Sequence, residues 1–219
     1  TVTDVNEAPV ITSNGGGSTG SISFAENSTS NVTDVEASDV DASATDSYSI
    51  SGTDAGDFNI DSGTGVLTFK SAPNFESQDD DGANNEYIVI VTVTDNGSLT
   101  DTQTLTITVT DVNEVPTDIS LNSTSVNENE SSGTTVGALS STDVDAGDSH
   151  TYTLVSGSGS THNSSFNISG SNLQTAASFN FESQSSYNIR IKTEDSGGLT
   201  YEEAFTITIV DVNELSRIH

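Results

Sequence analysis

Cysteine, methionine and tryptophan are all absent from this chain of 219 residues. Without cysteine there is no disulfide framework and no thiolate site for a soft metal. Basic residues are nearly as scarce: 4 Lys plus Arg stand against 33 Asp plus Glu, a formal net charge of −29. Such a chain repels nucleic acid and anionic membrane surfaces and attracts cations. Three histidines and no cysteine argue against a zinc site. No apolar run approaches the ~18 residues of a spanning helix, so no direct membrane insertion of this segment is expected. No helical period of useful length appears either.

Acidic chains rich in Gly, Ser and Thr often fail to bury a core. Here the apolar residues are regularly spaced, which argues for a folded chain. With Trp and Met missing, the core must come from Val, Ile, Leu, Phe and Tyr.

The word DVNE occurs three times, at residues 4–7, 111–114 and 211–214. Between its copies other pieces recur in the same order. SFAENST from Ser23 matches SVNENES from Ser125, and ASDVDAS from Ala37 matches STDVDAG from Ser141. DFNIDSGTGVLTF from Asp57 matches SFNISGSNLQT from Ser165. PNFESQ from Pro73 matches FNFESQ from Phe179, and TDNGSLT from Thr94 matches EDSGGLT from Glu194. Ordered matches of this kind mark a tandem pair of domains. The reading places the strand end and linker of a preceding repeat at 1–8, a first domain at 9–113, a second at 114–214 and a tail at 215–219. The opening TVTDVNE reads as the end of a strand, so the chain is expected to be an excerpt from a longer protein.

Each copy reads as all-β. YIVIVTVTD puts Tyr87, Val89, Val91 and Val93 on one face. YNIRIKTED puts Tyr187, Ile189 and Ile191 opposite Asn188, Arg190 and Lys192. TLTITVT alternates Leu105, Ile107 and Val109 with Thr, and FTITIV does the same with Phe205, Ile207 and Ile209. Period-two alternation of β-branched residues marks half-buried strands, with Gly, Asn, Asp and Ser clusters as turns. The expected architecture is two tandem Greek-key β-sandwiches of about seven strands each.

The repeated words offer oxygen, and neither sulfur nor imidazole: Glu in AEN, the two Asp of DVD, NFE, the Asp of TDNG and EDSG, and DVNE. Oxygen-only sites suit a hard cation. Calcium takes 6–8 oxygens in flexible geometry, whereas magnesium keeps more water, so calcium is the better fit. TDVNEVP ends the last strand of the first copy and leads directly into the second, with Pro116 stiffening the connection. A short acidic link between two acidic sandwiches is unfavourable unless a cation neutralises it.

These residues resemble the cadherin family over essentially the whole chain. Cadherin repeats are sandwiches of this length joined in series, with calcium at each junction. Their motifs are an early-strand Glu, a D-R-E or D-Y-E word, a D-x-N-D-N-x-P linker, and D-x-D and x-D-x words from the next repeat. The resemblance implies several calcium ions, chiefly at the central junction. Glu26, Asn74 and Glu76 come from the first domain. Asp111, Asn113 and Glu114 come from the linker, with the backbone carbonyls of Val112 and Val115. Asp143, Asp145 and Asp195 come from the second domain. Asn6 and Glu7 with Asp39, Asp41 and Asp95 form the downstream half of a junction at the N-terminus. Glu128, Asn180, Glu182, Asn213 and Glu214 form the upstream half of one at the C-terminus. The chain departs from the family where Asn74 and Asn180 replace the D-R-E Asp, and where Glu114 and Val115 replace the second Asp and last Asn of the linker. One carboxylate is lost in each D-R-E word, which points to affinity on the order of 10⁻⁴ M.

The implied function is a calcium-binding module of a surface or secreted protein, calcium rigidifying the junction for cell adhesion. The partners would be other cadherin-like domains, like domains included, or another cell-surface ligand. The setting would be extracellular, in the manner of bacterial cadherin-like repeats. Two alternatives are a calcium-dependent polysaccharide-binding module and a passive rigid spacer. With 5 Tyr and 8 Phe, mostly at core phase, aromatic sugar platforms are poorly provided for. No nucleophile elbow or phosphate loop appears, and no enzymatic activity is expected. The DDD of Asp79 to Asp81 reads as a solvated loop, Asp61 as a turn former, and His150 and His162 as exposed. The N-x-S/T words at Asn27, Asn31, Asn96 and Asn122 are expected by chance in so Asn/Ser/Thr-rich a chain.

Overall fold

Alternation along the sequence becomes alternation of burial. Val89, Val91, Val93, Leu105 and Ile107 are each 0% exposed, while the Thr residues between them are only partly covered. Ile189, Ile191, Ile207 and Ile209 repeat this in the second half at 0%. Each such side chain contributes about 1.5–3 kcal/mol when removed from water, and the β-branched shape suits a pleated surface.

The computed structural model describes residues 5–41 and 44–213. The chain divides into two compact units, Thr1–Val112 and Asn113–His219. In the first, nine strand segments run β1 (Val10–Ile11), β2 (Thr19–Ala25), β3 (Thr33–Asp34), β4 (Ala37–Ser38), β5 (Ser47–Ser51), β6 (Phe58–Ile60), β7 (Val66–Phe69), β8 (Glu86–Thr94) and β9 (Thr100–Thr110). In the second, eight run β10 (Asp118–Leu121), β11 (Ser125–Asn127), β12 (Thr135–Thr142), β13 (Thr151–Leu154), β14 (Phe166–Ser169), β15 (Asn172–Thr175), β16 (Ser186–Glu194) and β17 (Thr200–Val210).

The first unit has one sheet ordered β2-β9-β8-β5, and across the core a three-stranded β3-β7-β6 sheet with a β1-β4 pair. The second has sheets β11-β17-β16-β13 and β10-β12-β15-β14. The fold is all-β and sandwich-like in both units, as the alternation implies. The segment counts exceed seven because strands are interrupted. The first strand of each unit switches sheets, pairing antiparallel as β1 or β10 and then parallel to the last strand as β2 or β11. In the first unit the second strand is also broken, between β3 and β4. There the Val35 N–H leaves the ladder to donate to the carbonyl of Gly65 at 3.0 Å. Gly65 lies at φ +78°, and a Cβ on it would collide with that Val35 carbonyl, so only glycine serves.

The aromatic residues are largely spent in the cores. Phe58 and Phe69 pack with centroids 4.2 Å apart, and Tyr87 meets Phe69 edge-on at 5.1 Å. Phe166, Phe179 and Tyr187 form the matching group in the second unit. Among the described residues no helix is long and apolar enough to cross a membrane.

Candidate metal centres

The early-strand glutamate of each unit organises one cluster. Glu26 follows β2 and is 3% exposed. Its Oε2 accepts the Phe75 N–H at 2.9 Å, and its Oε1 accepts the Val112 N–H at 2.9 Å. One carboxylate thereby ties the end of β2 to the NFE turn and to the chain beyond β9. Glu128 does the same in the second unit, accepting from Phe181 and Val212, each at 2.9 Å. These two N–H groups hold the Glu128 carboxyl below the usual range. Around each glutamate the expected carboxylates gather. Glu26, Glu76 and Asp111 bring one oxygen apiece within 4.8 Å of one another, and so do Glu128, Glu182 and Asp211. Asp211 is the counterpart of Asp111 and joins this group, beside the Asn213 and Glu214 expected from that copy of DVNE.

Asn74 and Asn180 have a local task. Their Oδ1 atoms accept the N–H of Ser77 at 2.7 Å and of Ser183 at 2.8 Å, closing the NFES turn. An Asn at this place forms the turn without adding a charge. Asn213 is exposed, and Glu214 lies outside the described residues.

The second kind of cluster sits at the other end of each unit. Asn113 donates through Nδ2 to Asp195 Oδ2 at 3.0 Å, and Asn6 donates to Asp95 Oδ2 at 2.8 Å. The Glu114 N–H donates to Asp145 Oδ2 at 2.8 Å, and the Glu7 N–H to Asp41 Oδ2 at 2.9 Å. Asp143 accepts from the Asp145 N–H at 3.3 Å, and Asp39 from the Asp41 N–H at 2.9 Å. Each unit therefore folds the Asn and Glu of the DVNE word that leads into it against its own DVD and its own lone Asp. Burial works to raise the carboxyls of Asp95 and Asp195, but the amide of Asn6 or Asn113 and the N–H groups of the following turn outweigh it and hold both below the usual range. Val112 and Val115 are 43% and 47% exposed.

Two features of this cluster carry no sequence signal strong enough to single them out. A Cβ on Gly97 or Gly197 would fall inside the amide of Asn6 or Asn113, so glycine admits the linker Asn. Its only trace in sequence is one Gly shared by TDNG and EDSGG. The second feature is unpaired oxygen. Asp39 Oδ2 and Asp145 Oδ1 are buried and have no hydrogen-bond donor. A buried carboxylate oxygen without a donor is costly, and a divalent cation bound there removes that cost. The donors here are carboxylate and amide oxygens, the set calcium takes.

Three expectations are corrected. Asp80 is 5% exposed, not solvated, and accepts the N–H groups of Asn84 and Asn85 at 3.0 and 2.9 Å. Asp54 joins the same loop to β8, accepting the N–H of Asp81 at 2.8 Å and of Ile88 at 2.7 Å. These carboxylates turn inward because a loop bent this sharply leaves backbone N–H groups that need acceptors. His150 is not exposed: its side chain is 12% accessible and its Nε2 lies 3.0 Å from Asp143 Oδ2. His162 is half-buried, accepting the Asn188 N–H at Nδ1 and lying 5.1 Å from the Tyr187 ring. Asp61 does form a turn, its Oδ1 accepting from Gly63 and Thr64, each at 2.9 Å.

The cadherin domain model matches this chain twice, over residues 20–110 and 122–212, and the chain belongs to that family. No curated protein matches it in a sequence comparison. Among solved structures it is similar to the protocadherin GammaB4 extracellular domain, at 27% identity and TM-score 0.65, over 96% of this chain and 34% of that one. It is similar in fold to human protocadherin-24 EC1-2, at 23% identity and TM-score 0.70, over 94% of this chain and 100% of that one. Drosophila N-cadherin EC1-4 matches at 19% identity and TM-score 0.68, over 94% of this chain and 50% of that one. The chain thus spans only a part of several of these molecules, such as the 34% of the first.

Proposed function

We propose that this chain is a calcium-binding pair of cadherin repeats whose junction is ordered by calcium, acting in extracellular adhesion. The repeats are taken as 9–113 and 114–214. The observation that carries the reading is a buried oxygen without a donor on one DVD aspartate of each repeat, Asp39 Oδ2 in the first and Asp145 Oδ1 in the second, beside an otherwise well-bonded Asn–Asp cluster. Glu26, Glu76 and Asp111 would supply carboxylates from the end of the first repeat. Asn113, Glu114, Asp143, Asp145 and Asp195 would supply oxygens from the start of the second. Val112 and Asn113 are consecutive, so the chain joins the two sets by one peptide bond. Calcium supplies charge neutralisation there. With a net charge of −29, the calcium-free chain is self-repelling. Asn6, Glu7, Asp39, Asp41 and Asp95 would serve a preceding repeat, and Glu128, Asn180, Glu182, Asp211, Asn213 and Glu214 a following one.

The partner class proposed is another cadherin-type domain. No tryptophan is present for strand exchange between partners. A catalytic role is not proposed: Glu26 and Glu128 are each bonded to two backbone N–H groups, a structural use of a carboxylate.

The test is thermal unfolding and small-angle scattering of the whole chain in calcium and in chelator. A site of Kd on the order of 10⁻⁴ M at a hundredfold excess of calcium adds about 2.7 kcal/mol. The reading holds if calcium raises the midpoint and narrows the scattering to one extended shape. No response of either quantity would leave DVNE as an acidic linker and nothing more.

A further inference from the structure

We infer that Asp143, Asp148 and His150 form a cation site peculiar to the second repeat, which accepts borderline transition ions such as Zn²⁺ or Co²⁺. It deepens the calcium reading above, because Asp143 belongs to both.

The donors are already assembled. One atom each from Asp143, Asp148 and His150 lies within 4.8 Å of the others. His150 is turned onto Asp143, with Nε2 3.0 Å from Oδ2, and the Asp143 side chain is 3% accessible. Asp148 Oδ1 is held by the hydroxyl of Ser196. Its other oxygen, Oδ2, is buried and receives no hydrogen bond. An oriented carboxylate thus keeps an empty lone pair inside the protein, beside an imidazole. Metal–ligand bonds of about 2.0–2.2 Å put the donors of one tetrahedral ion roughly 3.5 Å apart, so a small rotation of these side chains closes the site.

The chemistry differs from every other cluster in the chain. Among the described residues the remaining groupings of metal donors are carboxylates alone. Imidazole with carboxylate suits zinc, cobalt and nickel, whereas oxygen alone suits calcium and magnesium. The first repeat shows what the alternative looks like. His150 directly precedes Thr151, the partner of Glu194 in the β13–β16 ladder, and Asp195 follows Glu194. Asp46 directly precedes Ser47, the partner of Thr94 in the β5–β8 ladder, and Asp95 follows Thr94. Asp46 and His150 are therefore equivalent positions. Asp46 stands among like charges, with burial first and then Asp39 and Asp95 raising its pKa. At this position the first repeat carries a carboxylate, Asp46, and the second an imidazole, His150, with Asp148 where the first repeat has Ala44.

Zn²⁺ and Co²⁺ are added separately to the full chain in the absence of calcium, and calcium is titrated in a parallel sample. The expected result is one strong Zn²⁺ site, Co²⁺ absorption in the visible, and movement of the His150 ring resonances. His150→Asp, which copies the first repeat, and His150→Asn are each expected to weaken Zn²⁺ by about tenfold or more, while His162→Gln leaves it unchanged. Equal Zn²⁺ affinity in both His150 variants, or an unmoved His150 ring, overturns the site. If calcium fails to bind the unaltered chain while Zn²⁺ still moves the His150 ring, the calcium reading falls and this one stands.

Discussion

Glu26 accepts a 2.9 Å hydrogen bond from the N–H of Val112, the residue that follows Asp111 after the last strand of the first unit. Its other oxygen accepts from Phe75. A buried acid thus clamps two chain segments at the point where cations would gather, and fold and site depend on the same carboxylate. Glu26→Ala leaves two N–H groups unpaired and is expected to cost about 3 kcal/mol or more in calcium-free protein. Glu26→Gln, which keeps one good acceptor, should cost less. Chemical denaturation of both variants in chelator checks the order, and equal midpoints for all three proteins would refute it.

Gly197 leaves room for the Asn113 amide. Ala at this position displaces the Asn113 amide from Asp195, since the new Cβ would occupy its space. Calcium affinity is expected to fall by about ten- to a hundredfold, the range seen when a supporting partner of a metal ligand is lost. Gly97→Ala should do the same to the first unit through Asn6. Calorimetric titration reads both, and an unaltered isotherm would mean the Asn residues take no part.

Asp54 and Asp80 hold the loop between Gln78 and β8, which is longer than its counterpart between Gln184 and β16. Asp80→Ala releases the N–H groups of Asn84 and Asn85, each bond to a charged acceptor being worth about 1.5–3 kcal/mol. Limited proteolysis should then cut near Gly82 in the variant and spare the parent. Scanning calorimetry should show the first unit melting earlier and the second unmoved.

Tyr87 sets the alkaline limit. Burial first, and then the charges of Asp80, Asp79, Asp57 and Asp54, push its phenol up to about 12. Its folded value exceeds the unfolded value of about 10, so the stabilisation is complete below that unfolded value and is lost as pH rises toward about 12. Ultraviolet titration should show a late tyrosine that is missing in Tyr87→Phe, whose stability should fall less steeply above pH ~10.

Much of the fold was legible in the chain. Side chains alternate across a strand by geometry, so Val89, Val91 and Val93 had to share a face, and burial of that face follows from their chemistry. The paired words likewise required two copies of one unit, and the oxygen-only chemistry of DVD and DVNE pointed to a hard cation. Spacing alone could not say that Asp80 turns inward while Asp79 stays exposed, because neighbours in a loop follow no fixed period. Nor could it place His150 on Asp143, or bring Glu26 to Val112 across 86 residues. Those pairings exist only once the sheets have closed, since strand register, not sequence distance, decides which loop ends share a corner.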